Sequence, residues 1–140
     1  MARYKPIIKG SIDLPEPQLL KAVINAGAHV EYEAIKKGIE GLSDHAVTDF
    51  MRQALIDHLG SSKITPEADG YVAAITMAGY ITDPNGRTVP AALVARSINV
   101  GTNLTAPTRF INKAVSAARR PAEEAMRVKA EEILRKAGNT

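Results

Sequence analysis

The sequence predicts an α+β domain, a small antiparallel sheet packed by long N-terminal and C-terminal helices. Three observations carry this. From Gln18 to Ile39 the apolar residues Leu20, Val23, Ile24, Val30, Ala34 and Ile35 recur at helical spacing. Around 63–80 the period shortens to alternation, with Pro66-Glu67-Ala68-Asp69-Gly70 as a turn between two runs. From 107 to 137 a charged stretch returns to a helical stripe. At 140 residues the chain is read as a single domain, 1–140, large enough for one modest core.

Taken in order, an edge strand is expected around Ile7 to Lys9, since Pro6 is tolerated near a strand start. Pro17 suits the first turn of the helix that follows, and Gly38 and Gly41 are its stop signals. Gly27 and Ala28 form a narrow point where another backbone can approach. A second helix is predicted from Asp44 to Leu59, capped by Ser43 or Asp44 and closed by Gly60. Lys63–Thr65 and Tyr71–Tyr80 read as strands, with the row through Tyr71, Ile75 and Met77 facing the helices. Asp83-Pro84-Asn85-Gly86 is an exposed turn. Pro90 leads a short helix with Ala92, Leu93, Ala95 and Ile98 as its contacts, ended by Gly101. Pro107, preceded by Thr105 or Ala106, opens the last helix, with Phe110, Ile111, Ala114, Val115 and Ala118 inward. Pro121 should kink or interrupt it, and Glu123–Arg127, Glu131–Arg135 and Glu132–Lys136 are spaced for ion pairs.

The function classes narrow by exclusion. The chain has no cysteine, which removes disulfide and thiolate chemistry and fits folding in the cytosol. No apolar run approaches the roughly 20 residues of a membrane span, and the basic N-terminus lacks the apolar core of a secretory signal. His29, His45 and His58 share no ligand spacing, so neither a metal nor a cofactor is expected. Ser97 lies outside any nucleophile elbow, and the glycines form no phosphate loop. No catalytic residue is assigned, and the chain is read as a non-enzyme. Residues 108–140 hold eight Lys/Arg against four Glu, whereas the remainder holds ten against eleven acidic residues, so the positive excess lies on the last helix. The second helix carries only Arg52 against Asp44, Asp49 and Asp57, which excludes it as a DNA-recognition helix.

One ordered set of residues points further: Gly79-Tyr80, Pro90, Ala95-Arg96, Gly101-Thr102, Phe110 and Ala114. In this order and spacing the chain resembles the tail-completion, or head–tail joining, proteins of long-tailed bacteriophages, clearly over 63–137 and more loosely before. It departs from their pattern at Asn99, where an acid is usual, at Val100, where an aromatic is usual, and at Arg109, where proline is usual. The resemblance implies a structural virion protein of the tail and neck, assembled in the host cytoplasm. It implies a homo-oligomeric ring, six-fold by expectation, that meets neck or connector proteins and tail-tube or tail-terminator proteins. Duplex DNA would pass through it without sequence-specific reading.

On that reading Asp83, Asn85 and Arg87 in the turn are candidate subunit or partner contacts, together with Arg96, Thr102, Arg109, Arg119, Arg120 and Arg127. Gly101-Thr102 chiefly positions the last helix. The competing reading is a nucleic-acid-binding module that uses the basic C-terminal helix through Arg109, Lys113, Arg119, Arg120, Arg127 and Lys129. The interspersed Glu residues weaken its field.

Overall fold

The computed structural model describes residues 3–4, 17–62, 64–67 and 70–138, and within these the chain is α+β. Helix α1 (Pro17–Glu40) buries Val23, Ile24, Ala28, Ile35 and Ile39 along one stripe, as its spacing requires. It runs through Gly38, so only Gly41 lies at its end. Helix α4 (Phe110–Gly138) packs along it. A Cβ on Gly27 would lie 2.8 Å from Met126, and one on Gly38 would lie 3.7 Å from the Ala114 Cβ and 3.5 Å from the Phe110 carbonyl. The two helices are therefore antiparallel. At Gly27 the space is taken by a side chain, Met126, rather than by the expected backbone. The backbone approach is at Gly38.

In α4 the buried positions fall at every fourth residue: Phe110, Ala114, Ala118, Ala122, Met126 and Ala130. Such a row is the i±4 ridge that helices use to interlock, and its alanines let the axes come close. The helix continues through Pro121 without the expected interruption. Pro121 is exposed, so the carbonyl that loses its donor faces water, while Ala118 and Ala122 on either side are held against α1. Packing of an apolar face outweighs the local cost.

The sheet is built around β4 (Gly70–Met77), paired antiparallel with β1 (Arg3–Tyr4), β2 (Leu59–Ser61) and β3 (Thr65–Glu67). Leu59 faces Met77 and Ser61 faces Ile75, but Thr65 faces Val72. Four steps along one side thus match three along β4, the one-residue surplus of a bulge. Ser62 marks its start: its N–H donates to the Ala74 carbonyl at 2.7 Å, and its hydroxyl accepts from the Ala74 N–H at 2.9 Å. Ala73, Ile75 and Met77 are buried, the row the alternation favoured. They meet Ile24, Ile35, Ile39, Leu55, Ala95 and Phe110 in the main core. The strand expected at Ile7–Lys9 lies outside the described residues, as does Lys63.

Helix α2 (Asp49–His58) is shorter than its expected Asp44–Leu59 span. The true cap is Thr48, whose hydroxyl accepts from the Met51 N–H at 3.2 Å. Ser43 begins a separate turn, accepting from the Ala46 and Val47 N–H groups at 3.0 and 3.1 Å. Leu59 and Gly60 belong to β2, because cross-strand bonds to β4 are available there. Arg52 holds the turn to the helix: its guanidinium donates to the Leu42 carbonyl at 2.7 Å and to Asp44 at 3.1 Å, and it also pairs with Asp49. The hydrogen bond it gives to Asp44, followed by the Asp49 contacts, holds its pKa above the ordinary guanidinium value.

Candidate functional site

Residues 79–114 fold as hairpin, helix, loop and helix start. Strands β5 (Tyr80–Thr82) and β6 (Thr88–Pro90) pair antiparallel, Tyr80 with Pro90 and Thr82 with Thr88. The turn was legible in Asp83–Gly86, and the hairpin around it was not. Gly79, at φ 85°, breaks the strand expected to run on to Tyr80. Asp83 closes the turn: its Oδ1 accepts from the Asn85 and Arg87 N–H groups, both at 2.9 Å. Its carboxylate is thus engaged within the turn, and Asn85 and Arg87 are left exposed at the tip.

Helix α3 (Ala91–Val100) starts after Pro90, which is its cap rather than its first residue. Its buried face is Ala91, Ala95 and Asn99. The expected contacts Ala92 and Leu93 point outward instead, Leu93 being 54% exposed. Ala91 and Ala95 are buried in the core, and Leu93, two residues from each, lies on the opposite side of the helix. The outer face reads Ala92, Leu93, Arg96, Val100.

Residues 101–109 form a loop rather than the first turn of the last helix, so Pro107 does not open α4. Gly101 caps α3 at φ 81° and lies under the loop: a Cβ there would meet the Pro107 nitrogen at 2.8 Å and the Thr105 carbonyl at 2.9 Å. Thr102 and Thr105 bond through both backbone and hydroxyl groups, the hydroxyls 2.8 Å apart. Thr102 is therefore spent on loop shape. Leu104 stands at the tip, 95% exposed.

The loop returns beneath the end of α3, and there Asn99 takes over the capping of α4. Its Oδ1 accepts from the Ile111 N–H at 2.9 Å, and its Nδ2 donates to Asn112 Oδ1 at 2.8 Å. The Thr108 and Arg109 N–H groups donate to the Ile98 and Asn99 carbonyls at 3.1 and 2.9 Å. Arg109 holds φ 58°, the left-handed region. A side chain from the preceding helix thus does the work usually done by an adjacent cap. Sequence reasoning missed it because the donor and acceptor are twelve residues apart.

We expect Asn99→Ala to lower stability by about 1–2 kcal/mol, the loss of the cap on the Ile111 N–H. Asn99→Asp should cost less than about 0.5 kcal/mol, because a carboxylate accepts the same N–H and is favoured at a helix N-terminus, and the exposed Asn112 amide can turn its NH2 toward it. Chemical denaturation of the two variants checks this. Equal losses would show that the bond to Ile111 contributes little.

The remaining candidates lie apart on α4. Arg119 and Arg120 are exposed beside Pro121. Arg127 sits about 10 Å further along the helix at 1.5 Å per residue, paired with Glu124 and Glu131. The hydrogen bond with Glu124, then that with Glu131, holds its guanidinium pKa above the usual value, and Glu124 is held below the carboxylate range in return. Glu132 is likewise lowered, first by its hydrogen bond from Lys136 and then by Lys129. Of the expected pairs Glu132–Lys136 forms at 3.2 Å, whereas Arg127 turns to Glu124 and Glu131 rather than to Glu123. The nine candidates therefore fall in three places: the hairpin tip, the α3–loop surface and mid-α4.

Charge unites the first two with the start of the third. From Pro84 to Ala122 there is no Asp or Glu, and the six cations Arg87, Arg96, Arg109, Lys113, Arg119 and Arg120 are all exposed. Among the described residues none of the six forms an ion pair. No group of three His, Cys, Asp or Glu among the described residues is placed to hold a metal ion, and none of the helices there is long and apolar enough to cross a membrane. His58 is engaged structurally: its Nδ1 donates to the Ala54 carbonyl at 2.8 Å. Comparison with protein-family models, curated proteins and solved structures found no match for this chain.

Proposed function

We propose that the chain is a structural virion protein that joins or completes the tail at the neck of a long-tailed phage. It assembles as a ring through which DNA passes, and it acts through protein surfaces without catalysis. The observation that carries this reading is where apolar surface is left uncovered. Tyr80, Leu93, Val100 and Leu104 are 67%, 54%, 45% and 95% exposed, and all lie in the segment whose residues carry the resemblance. Large apolar side chains gathered on one segment mark a surface that a partner covers. Identical neighbours in a closed ring cover it by symmetry.

The second reading, a nucleic-acid-binding module, is favoured by the acid-free run from Pro84 to Ala122. Light scattering over a wide concentration range, alone and with neck or tail-tube proteins, separates the two when paired with a gel shift on duplex DNA. A defined oligomer, free or partner-induced, is the expected result. A monomer indifferent to those proteins that shifts DNA at physiological salt would replace the assembly reading with the second. Arg120→Glu should melt like the parent, since Arg120 is exposed and unpaired among the described residues, and should alter assembly alone.

A further inference from the structure

Two short helices, which touch each other within the chain, carry exposed outer faces that complement each other. On α3 the outer row is Leu93, Arg96 and Val100, spaced three and four residues apart and so in line on one side. On α2 the outer row is Asp49, Phe50, Gln53 and Asp57, again on one side, with Phe50 46% exposed at its centre. The first face is aliphatic with one cation. The second is acidic around one aromatic ring.

The charges agree beyond these residues. Residues 40–58 hold Glu40, Asp44, Asp49 and Asp57, all exposed, against Arg52 alone. Arg52 is already bound to Asp44 and Asp49, whereas among the described residues Asp57 accepts only from the Gln53 amide, at 2.8 Å. Arg96, within the acid-free segment, has no ion-pair partner among the described residues.

We infer that copies of this chain associate with the outer face of α3 of one copy on the outer face of α2 of the next. Arg96 then reaches Asp57, and Leu93 and Val100 pack around Phe50. Packing α3 on its own counterpart would bring Arg96 toward Arg96, and packing α2 antiparallel on itself would bring Asp57 toward Asp49. Both are repulsive. Unlike faces give a head-to-tail contact in which each copy offers α3 to one neighbour and α2 to another, the class of contact that builds a ring when its rotation closes. The inference rests on the assembly reading and adds to it the two surfaces that meet.

The test is the self-association constant of the full chain by sedimentation and light scattering, at low and high salt, for Arg96→Glu, Asp57→Arg and the double variant. Both side chains are exposed, and an Arg at position 57 lies near the C-terminus of α2, where a cation is tolerated. Unchanged thermal melts confirm that the variants fold. Each single variant should weaken association at least about tenfold, and the double variant should recover to within about threefold of the parent. Single variants that associate like the parent, or a double variant as weak as the singles, would overturn this contact while leaving a ring built by other surfaces. A parent that stays monomeric at every concentration, alone and with neck or tail-tube proteins, would overturn both. Loss of duplex-DNA retention in Arg96→Glu without a change in mass would assign α3 to nucleic acid and overturn it as well.

Discussion

Phe110→Asp is expected to abolish cooperative folding. Phe110 is 5% exposed, opens α4, and joins the core shared by α1 and the sheet, with its backbone close against Gly38. Truncating such a ring to a methyl group costs about 3–5 kcal/mol, and a carboxylate left in its place adds a desolvation penalty. The gain from an acid in the first turn of a helix is about 0.3–1 kcal/mol and cannot offset this. Against a typical stability of about 5–15 kcal/mol, the variant should lie at or below the threshold of folding. Phe110→Leu should keep a cooperative transition. The readout is thermal unfolding by circular dichroism. A parent-like melt for the Asp variant would mean that α4 does not start where it is placed.

Gly101→Val is expected to cost about 3 kcal/mol or more. Two penalties coincide: φ 81° is strained for any residue with a Cβ, and that Cβ would strike the backbone of Thr105 and Pro107 rather than a pliable side chain. Relief would require lifting the loop, which would break the Thr102–Thr105 pairing and the bonds from Thr108 and Arg109 to the end of α3. The melting temperature should fall by roughly 10 °C. A variant that melts within a degree or two of the parent would show that the loop does not rest on Gly101.

The sequence made α1 legible, because one uninterrupted stripe and Pro17 both point to the same helix. The buried row of β4 was legible for the same reason, since alternation and burial agree at Ala73, Ile75 and Met77. What stayed hidden depends on partners distant in the chain. Ser43 and Thr48 are equally good caps locally, and Arg52, bonding back to Leu42 and Asp44, holds the turn that separates them. The start of α4 was set too early because Pro107 is a good first residue of a helix, whereas bonds to Ile98 and Asn99 hold 107–109 outside it. Of the candidate contacts, composition identified the cations. It could not tell that Asp83 and Thr102 are consumed by their own turns, nor that Leu93 and Phe50 face outward.

The antiparallel packing of α1 on α4 also fixes the order of events as the chain is made. The apolar stripe of α1 finds its partner only after residues 41–109 and much of α4 have been synthesised. At about 5–20 residues per second this leaves Val23, Ile24 and Ile35 without their helical cover for several seconds. The intervening turns and hairpin form quickly and locally, but the largest interface closes between the two ends of the described chain. Contacts of such sequence separation slow folding, because the intervening chain must be closed before they form. Any partner that engages α1 before α4 emerges would compete with the fold itself.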